Sequence, residues 1–198
     1  MILEESKLYH IYNQGNNRQK IFFSSENYLF FLNKIKIHIL PHADILAWCL
    51  MPNHFHLMVY VHTYEIPADE NEANKFGGQF HNLNDSIGLI LRSYTRAINK
   101  QENRSGSLFK PHTKAECIIG IKGILPSFLI TSQKEDIVEP NTEKEYPQIC
   151  FNYIHANPVR ARMVKQNEDW EFSSYLDYYG LRNGKLINRE RAAEFGLY

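Results

Sequence analysis

The chain of 198 residues lacks any apolar run that approaches the ~18 residues needed to span a membrane. Its N-terminus is acidic and lacks the apolar core of a secretion signal. Cysteine is scarce, because only Cys49, Cys117 and Cys150 are present and no CxxC spacing occurs, which excludes a disulfide framework and a zinc knuckle. These absences predict a cytoplasmic protein with no membrane partner, in which the cysteines are buried free thiols.

Net charge is also absent, since 22 basic side chains balance 22 acidic ones, and composition alone therefore does not indicate nucleic-acid binding. The charges are unevenly distributed, with acidic residues concentrated in 65–72 and 135–145. Between residues 81 and 115, two acidic side chains face six basic ones, namely Arg92, Arg96, Lys100, Arg104, Lys110 and Lys114. This distribution fits a basic binding face on a neutral molecule, and it fits an ordinary solvated helix face equally well.

Hydrophobic spacing predicts a mixture of strands and helices along the chain. The predicted elements are a strand over 7–13, a helix from 24–26 to the residues before Pro41, strands over 45–51 and 54–61, a loop over 63–80, a helix from 83 that closes at 103–106, a strand over 107–118, a helix over 147–153 and a short helix near 189–194. Asn157 and Pro158 resemble the start of a further helix, with Asn157 as its N-cap.

The order of these elements predicts an α+β protein with a ferredoxin-like βαββαβ fold. We expect an antiparallel sheet with helices on one face, followed by an additional C-terminal helix. No internal repeat divides the chain, so residues 1–198 are predicted to form a single domain.

His54 and His56 lie two residues apart on a predicted strand. Because side chains alternate between the faces of a strand, both imidazoles point to one side and Phe55 points to the other. Two neutral imidazoles can bind a divalent metal, but a third ligand must then come from elsewhere in the chain. Taken alone, a His-x-His pair is more often a structural feature of a sheet surface than a metal site.

Tyr153 and Asn157 lie four residues apart, which places them on one face if they share a helix. A tyrosine hydroxyl can act as a nucleophile, and an amide oxygen can bind a hard metal ion. Alone, this pair is also better explained structurally, because the chain contains 12 tyrosines. A separation of more than ~10 Å between the histidines and Asn157 would argue against a shared metal.

The two pairs lie in segments that together resemble the HUH single-tyrosine transposases, and most closely their REP-associated tyrosine transposase branch. These segments are Leu50-Met-Pro-Asn-His-Phe-His-Leu57 and Tyr153-Ile-His-Ala-Asn-Pro-Val-Arg-Ala161. Residues 9–18, 94–96, 105–109 and 170–175 fit the same branch, so the similarity runs in order from residue 8 to about 176. Segments 63–80 and 119–146 look longer than is usual in this branch and are predicted insertions.

The resemblance implies that Tyr153 is the catalytic nucleophile and that His54, His56 and Asn157 hold Mg²⁺ or Mn²⁺. The implied reaction cleaves and rejoins single-stranded DNA, with a stem-loop as the expected partner, through a 5′-phosphotyrosine. We expect Arg92, Arg96, Lys100, Lys110 and Lys114 to contact phosphates. Asn13, Asn17 and Arg18, in a polar loop, are suited to base edges, although an ordinary solvated turn fits them equally well. Whether the protein is a monomer or a homodimer stays open.

Two other functions fit parts of the pattern. A metal-dependent phosphodiesterase would use water as its nucleophile, with Asp44 and Glu116 as additional carboxylates. A non-catalytic nucleic-acid-binding module on the same fold would require neither the metal nor Tyr153.

Overall fold

A computed structural model describes residues 2–67, 80–119 and 145–197 of the chain. The strands are β1 (Leu8–Gln14), β2 (Ala43–Met51), β3 (His54–Val61), β4 (Glu65–Pro67), β5 (Phe80–Asn82) and β6 (Lys114–Cys117). The helices are α1 (Ser25–His38), α2 (Leu83–Gln101), α3 (Tyr146–Arg160), α4 (Tyr175–Tyr178) and α5 (Arg189–Glu194), and short 3-10 turns lie at Asn16–Arg18 and Asn167–Asp169.

Four of the strands form one antiparallel sheet in the order β2-β3-β1-β6. The chain connects β1 to β2 through α1 and β3 to β6 through α2, which is the βαββαβ arrangement of a ferredoxin-like fold. The predicted α+β fold class is therefore confirmed. The β6 strand lies at an edge of this sheet, a position that matters for the cavities described below.

The sheet is covered by helices on both faces. On one face, apolar residues of α1 and α2, such as Phe31 and Ile90, pack with Phe55 and Leu57 of the sheet. On the other face, α3 packs Phe151 and its apolar neighbours against residues that include Met58. The two crossover helices thus share one face as predicted, and the additional helix α3 covers the opposite face, to which His54 and His56 belong.

Helix α3 runs without interruption from Tyr146 to Arg160, so the prediction of a new helix start at Asn157 is wrong. Pro158 lies inside the last turn, where its missing N–H removes one helical hydrogen bond close to the C-terminus. The side chain of Asn157 donates from Nδ2 to the carbonyl oxygen of Tyr153 at 3.0 Å instead of capping a helix. Burial of Phe151, Ile154 and Pro158 holds the helix against the sheet. Tyr153 and Asn157 therefore lie one helical turn apart.

Two other predicted boundaries are wrong. Of the predicted strand over 107–118, only β6 forms a strand. Pro111 has no N–H to donate to a neighbouring strand. The residues before it make isolated backbone hydrogen bonds, such as the 2.8 Å bond from Lys110 N to Gln14 O. The predicted loop over 63–80 includes the small β4–β5 hairpin at its ends. Most of the two predicted insertions, at 68–79 and 120–144, lies outside the described residues.

Residues that follow α3 fix this helix and β2 to each other. Ser174 Oγ lies 2.7 Å from Nε2 of His155 on α3 and accepts a 2.9 Å bond from the backbone N–H of Trp48 on β2. Trp170 donates from Nε1 to the Leu50 carbonyl oxygen at 3.1 Å. Within 2–67, 80–119 and 145–197, no helix is both long enough and apolar enough to cross a membrane.

Candidate functional site

A row of polar side chains crosses the sheet beneath α3. In the register of β1 and β3, Tyr12 is opposite His56 and Gln14 is opposite His54. Lys114 of β6 is opposite Tyr12 on the other side. Directly opposed residues of antiparallel strands share a face, so strand pairing collects these polar side chains on the face that α3 covers.

His56 is buried, with 5% of its surface exposed, and its two ring nitrogens have different environments. Its Nδ1 lies 2.8 Å from Nε2 of His10 on the neighbouring strand, and the two rings stack with centroids 5.0 Å apart. Its Nε2 is buried and has no hydrogen-bond partner among the residues that the structure describes. A buried polar atom without a partner is costly, so this nitrogen is suited to a ligand that the protein itself does not supply.

His54 is oriented by its neighbour in sequence. Its Nδ1 lies 2.6 Å from Oδ1 of Asn53, which can only accept, so Nδ1 carries the proton and donates. Nε2 of the neutral ring is then a lone pair, and it lies 3.5 Å from Oδ1 of Asn157. The amide of Asn157 is fixed because its Nδ2 donates to Tyr153 O, so two acceptors face each other. A cation between them would convert this unfavourable contact into a favourable one.

Burial keeps these imidazoles neutral at ordinary pH. It lowers the pKa of His56 well below 6.5, and the neighbouring His10 and His54 lower it further. It lowers the pKa of His10 to about 4, although Glu116 opposes this shift. It also lowers the pKa of His54, against the effect of the Asn157 contact. Neutral imidazole is the form that binds metal ions.

Tyr153 stands beside the imidazoles at the same site. Its ring centroid lies 5.5 Å from that of His56 and 5.9 Å from that of His10, in edge-on arrangements. The guanidinium of Arg160, two turns along α3, lies 5.6 Å from the Tyr153 ring centroid. His56 and Tyr153 line a cavity of about 240 Å³, which we call the catalytic pocket after the role proposed for it below. It is lined by Tyr12, Asn13, Gln14, His54, His56, Lys110, His112, Lys114 and Tyr153.

The donors at this site fit a hard divalent metal. Among the described residues, no cluster of three His, Cys, Asp or Glu side chains could hold a metal ion, so a third protein donor must be of another type. Asn157 Oδ1 is such a donor, since amide oxygens bind Mg²⁺ and Mn²⁺ and imidazole is an accepted ligand of Mn²⁺. The unpartnered Nε2 of His56 and the facing lone pairs of His54 and Asn157 supply three donors.

The predicted DNA contacts fall into three groups. Lys110 and Lys114 line the catalytic pocket, whereas Arg92, Arg96 and Lys110 line a second cavity of about 640 Å³ between α2 and residues 107–113. Lys100 is exposed on α2 outside both cavities.

The polar loop after β1 is divided between the pocket and the surface. Asn17 and Arg18 are exposed and line neither cavity. Asn13 lines the catalytic pocket but is 4% exposed, and its amide binds Thr113 Oγ1 at 2.9 Å and the Lys110 carbonyl oxygen at 3.2 Å. Its fixed amide positions residues 110–113 beside the pocket.

Sequence reasoning missed two residues of the site, His10 and His112. His10, Tyr12 and Gln14 occupy every second position of β1, and this spacing indicates that their side chains share a face. Only the strand register shows that this face lies next to His56. His112 follows Pro111 in an irregular segment, where no periodic spacing indicates which way its side chain points. Glu116, considered as a ligand for a water-dependent enzyme, accepts a 2.7 Å bond from the Tyr12 hydroxyl. Asp44, the other carboxylate considered, is held by Asn188 and Arg191 at the far end of β2.

No protein-family model matches the sequence, and no curated protein is significantly similar to it. The fold is similar to that of a solved REP-associated tyrosine transposase bound to a REP hairpin, with a TM-score of 0.56 and 18% sequence identity. The alignment covers 100% of this chain and 86% of that chain. That protein is of the branch that the sequence motifs resemble, so the predicted resemblance is confirmed at the level of the fold.

Proposed function

We propose that this protein is a DNA transposase that cleaves and rejoins single-stranded DNA through a covalent bond to Tyr153. The observation that carries the proposal is the 3.5 Å approach of His54 Nε2 to Asn157 Oδ1, one helical turn from Tyr153. Two acceptors that face each other beside a nucleophilic hydroxyl have a common purpose if they hold a cation against a phosphate.

His54, His56 and Asn157 would hold Mg²⁺ or Mn²⁺. When bound, the ion supplies positive charge that offsets the negative charge of a phosphodiester. The contribution of the chain is to present its donors in the correct protonation state. Asn53 fixes the tautomer of His54, and His10 contacts Nδ1 of His56, so that each histidine directs Nε2 towards the site.

In the proposed reaction, the phenol oxygen of Tyr153 attacks phosphorus. A bond between this oxygen and phosphorus forms, the bond from phosphorus to the 3′ oxygen breaks, and the departing strand takes a proton to end in a 3′-hydroxyl. The phenol gives up one proton and the departing 3′ oxygen takes up one, so the step is balanced in protons. Arg160, against the Tyr153 ring, and Lys110 and Lys114 in the pocket place positive charge where the anionic phosphate would lie.

The rejoining step is the reverse of the first. The 3′-hydroxyl of a second strand attacks the phosphotyrosine, Tyr153 regains its proton and the DNA is sealed. The energy of the cleaved phosphodiester bond is kept in the phosphotyrosine bond, so the reaction needs no nucleoside triphosphate. We propose hairpin-bearing single strands as substrates, because the solved protein of similar fold is bound to a REP hairpin.

The decisive experiment incubates the protein with a hairpin-bearing single strand and Mn²⁺ and separates the products on a denaturing gel. We expect a covalent protein–DNA adduct that maps to Tyr153 by mass spectrometry, disappears in Tyr153→Phe and persists in Tyr12→Phe. Tyr12 is the matched control, because it is the other tyrosine of the catalytic pocket.

The same gel distinguishes the competing functions. A phosphodiesterase that uses water cleaves the strand without an adduct, also in Tyr153→Phe. A non-catalytic binding module gives neither product, and His54→Ala leaves its DNA binding intact. An adduct that survives Tyr153→Phe contradicts our proposal.

A further inference from the structure

The second cavity, here called the α2 groove, lies on the other side of the sheet edge from the catalytic pocket. One wall is the exposed side of α2, and the other is the irregular segment 107–113 that leads into the edge strand β6. Its volume of about 640 Å³ lies in the range of cavities that enclose one small organic ligand, roughly 300–1,000 Å³. The proposed reaction of Tyr153 does not use it.

The lining of the α2 groove combines cations with apolar surface. Arg92, Arg96 and Lys110 contribute positive charge, and none of the Asp and Glu residues that the structure describes lines the groove. None of these cations has an ion-pair partner within the described residues, so their charge is available to a ligand. Ile87 and Leu91 add apolar surface between the charges. Exposed cations beside less exposed apolar side chains suit the phosphates and bases of a nucleic acid.

The groove and the catalytic pocket meet at Lys110 and His112, the two side chains that line both cavities. Residues 110–113 thus form a crest at the sheet edge, with the tyrosine site on one side and α2 on the other. Asn13 holds this crest through its bonds to Lys110 and Thr113. A strand whose phosphate lies at Tyr153 can cross the crest beside the exposed side chains of Lys110 and His112 and enter the groove.

We propose that the α2 groove binds the unpaired DNA segment next to the scissile phosphate, whereas the hairpin stem lies elsewhere. The inference rests on the proposed function and names the part of the substrate that this surface holds. Arg92 and Arg96 are one helical turn apart, ~6 Å along the axis, a spacing that allows each to contact a different phosphate of one extended strand. A cavity of about 640 Å³ is of the size that encloses one small organic ligand, so a duplex of several base pairs is too large for it.

The floor of the groove depends on a glycine. A Cβ atom at Gly88 would lie 2.8 Å from Nη1 of Arg92, because the guanidinium lies across this position. A larger side chain at 88 would displace Arg92 and fill the groove without changing the charge of the protein. Gly88→Leu therefore blocks the groove by its size alone, which complements variants that remove the charges of Arg92 and Arg96.

The test combines protein variants with changes in DNA length. Fluorescence anisotropy measures the affinity of the full chain for a hairpin oligonucleotide with unpaired thymidine flanks, which are shortened one nucleotide at a time on each side. For the unmodified chain, we expect affinity to fall by about tenfold as one particular flank is removed, because its phosphate contacts are lost. Arg92→Gln/Arg96→Gln and Gly88→Leu bind the long flank about tenfold less well and no longer respond to its length.

Salt dependence gives a second readout. Each phosphate contact to a single strand contributes about 0.7 to the slope of log affinity against log salt concentration, so Arg92→Gln/Arg96→Gln reduces the slope by about 1.4. The control is Lys100→Gln, which removes one charge from the same exposed row of α2 outside the groove; it lowers the slope by no more than about 0.7 and keeps the response to flank length. Circular dichroism establishes that each variant is folded.

Three outcomes would overturn the inference. In the first, affinity is independent of both flanks. In the second, Lys100→Gln abolishes the response to flank length as fully as the groove variants do, which indicates diffuse charge. In the third, a flankless hairpin is weakened by the groove variants as strongly as the full probe is, which places the duplex stem in the groove. The Tyr153 adduct is scored separately. If the unmodified chain forms no adduct, the proposed function is refuted, while flank-dependent binding still supports the assignment of the α2 groove.

Discussion

Nε2 of His10 lies 2.8 Å from Nδ1 of His56, and both rings are buried on adjacent strands. One of the two nitrogens must donate and the other accept. If Nδ1 of His56 donates, its Nε2 carries the lone pair that a metal ion requires. His10 is thus placed to set the tautomer of His56, the proposed metal ligand, and is not itself proposed as a ligand.

We therefore expect His10→Phe to weaken Mn²⁺ binding by about 10- to 100-fold, the usual effect of losing a hydrogen bond behind a histidine ligand. Isothermal titration calorimetry of the DNA-free protein measures it. His10→Gln, which can still hydrogen-bond to His56, should retain more affinity than His10→Phe. Equal Mn²⁺ affinity in His10→Phe and the unmodified chain would exclude a positioning role for His10.

Replacement of Asn157 tests the third donor. Asn157→Ala removes the oxygen that faces His54 Nε2, so we expect Mn²⁺ affinity to fall by at least about tenfold. Asn157→Asp retains an oxygen and adds negative charge, and we expect it to bind Mn²⁺ at least as tightly as the unmodified chain. The same titration measures both variants. If Asn157→Ala binds normally, the third ligand is another group.

Stability should decrease in mild acid because buried histidines resist protonation. Burial lowers the pKa of His155 from 6.5 to about 3, so the folded state keeps it neutral while the unfolded chain takes up a proton below pH 6.5. This contribution to stability is complete above pH 6.5 and is lost as the pH falls towards 3. Between pH 8 and pH 5, His155 alone should lower the unfolding free energy by about 2 kcal/mol.

Urea denaturation at the two pH values measures this effect. His155→Gln removes the titrating group, so its unfolding free energy should fall about 2 kcal/mol less over the same range. An identical pH dependence in the two proteins would show that His155 does not titrate as its burial requires.

Asp177 anchors the C-terminal segment through a buried carboxylate. It is 1% exposed and accepts two bonds from Arg182, at 2.7 and 2.8 Å, and one from the backbone N–H of Gly184 at 3.1 Å. Asp177→Ala removes the acceptor of Arg182 Nε and of the Gly184 N–H, and Arg182 keeps only its bonds to the carbonyl oxygens of Glu171 and Ser173. We expect the unfolding free energy to fall by about 3 kcal/mol.

The matched control is Glu194→Ala, which breaks the exposed pair with Arg191 and should change the unfolding free energy by less than about 1 kcal/mol. Urea denaturation compares both variants with the unmodified chain. Losses of similar size would mean that burial of Asp177 does not strengthen its ion pair.

The sequence by itself determined the local elements and the faces on which their side chains lie. The two-residue period of β3 places His54 and His56 on one side, and the four-residue spacing of Tyr153 and Asn157 places them on one face provided that a single helix carries both. Both follow from backbone geometry and need no knowledge of the segments that pack against them. The order of the strands and helices likewise predicted the ferredoxin-like topology, because few connections of such elements are sterically favourable.

The tertiary structure decided which faces meet. Strand register, set by pairing along whole strands, brings His10 to His56, and a shift by one residue would turn His10 to the opposite face. Packing of α3 on the sheet carries the helix through Pro158 and brings Asn157 within 3.5 Å of His54. Lys110 and His112 line both cavities because an irregular segment turns at the sheet edge, where no periodicity in the sequence encodes direction.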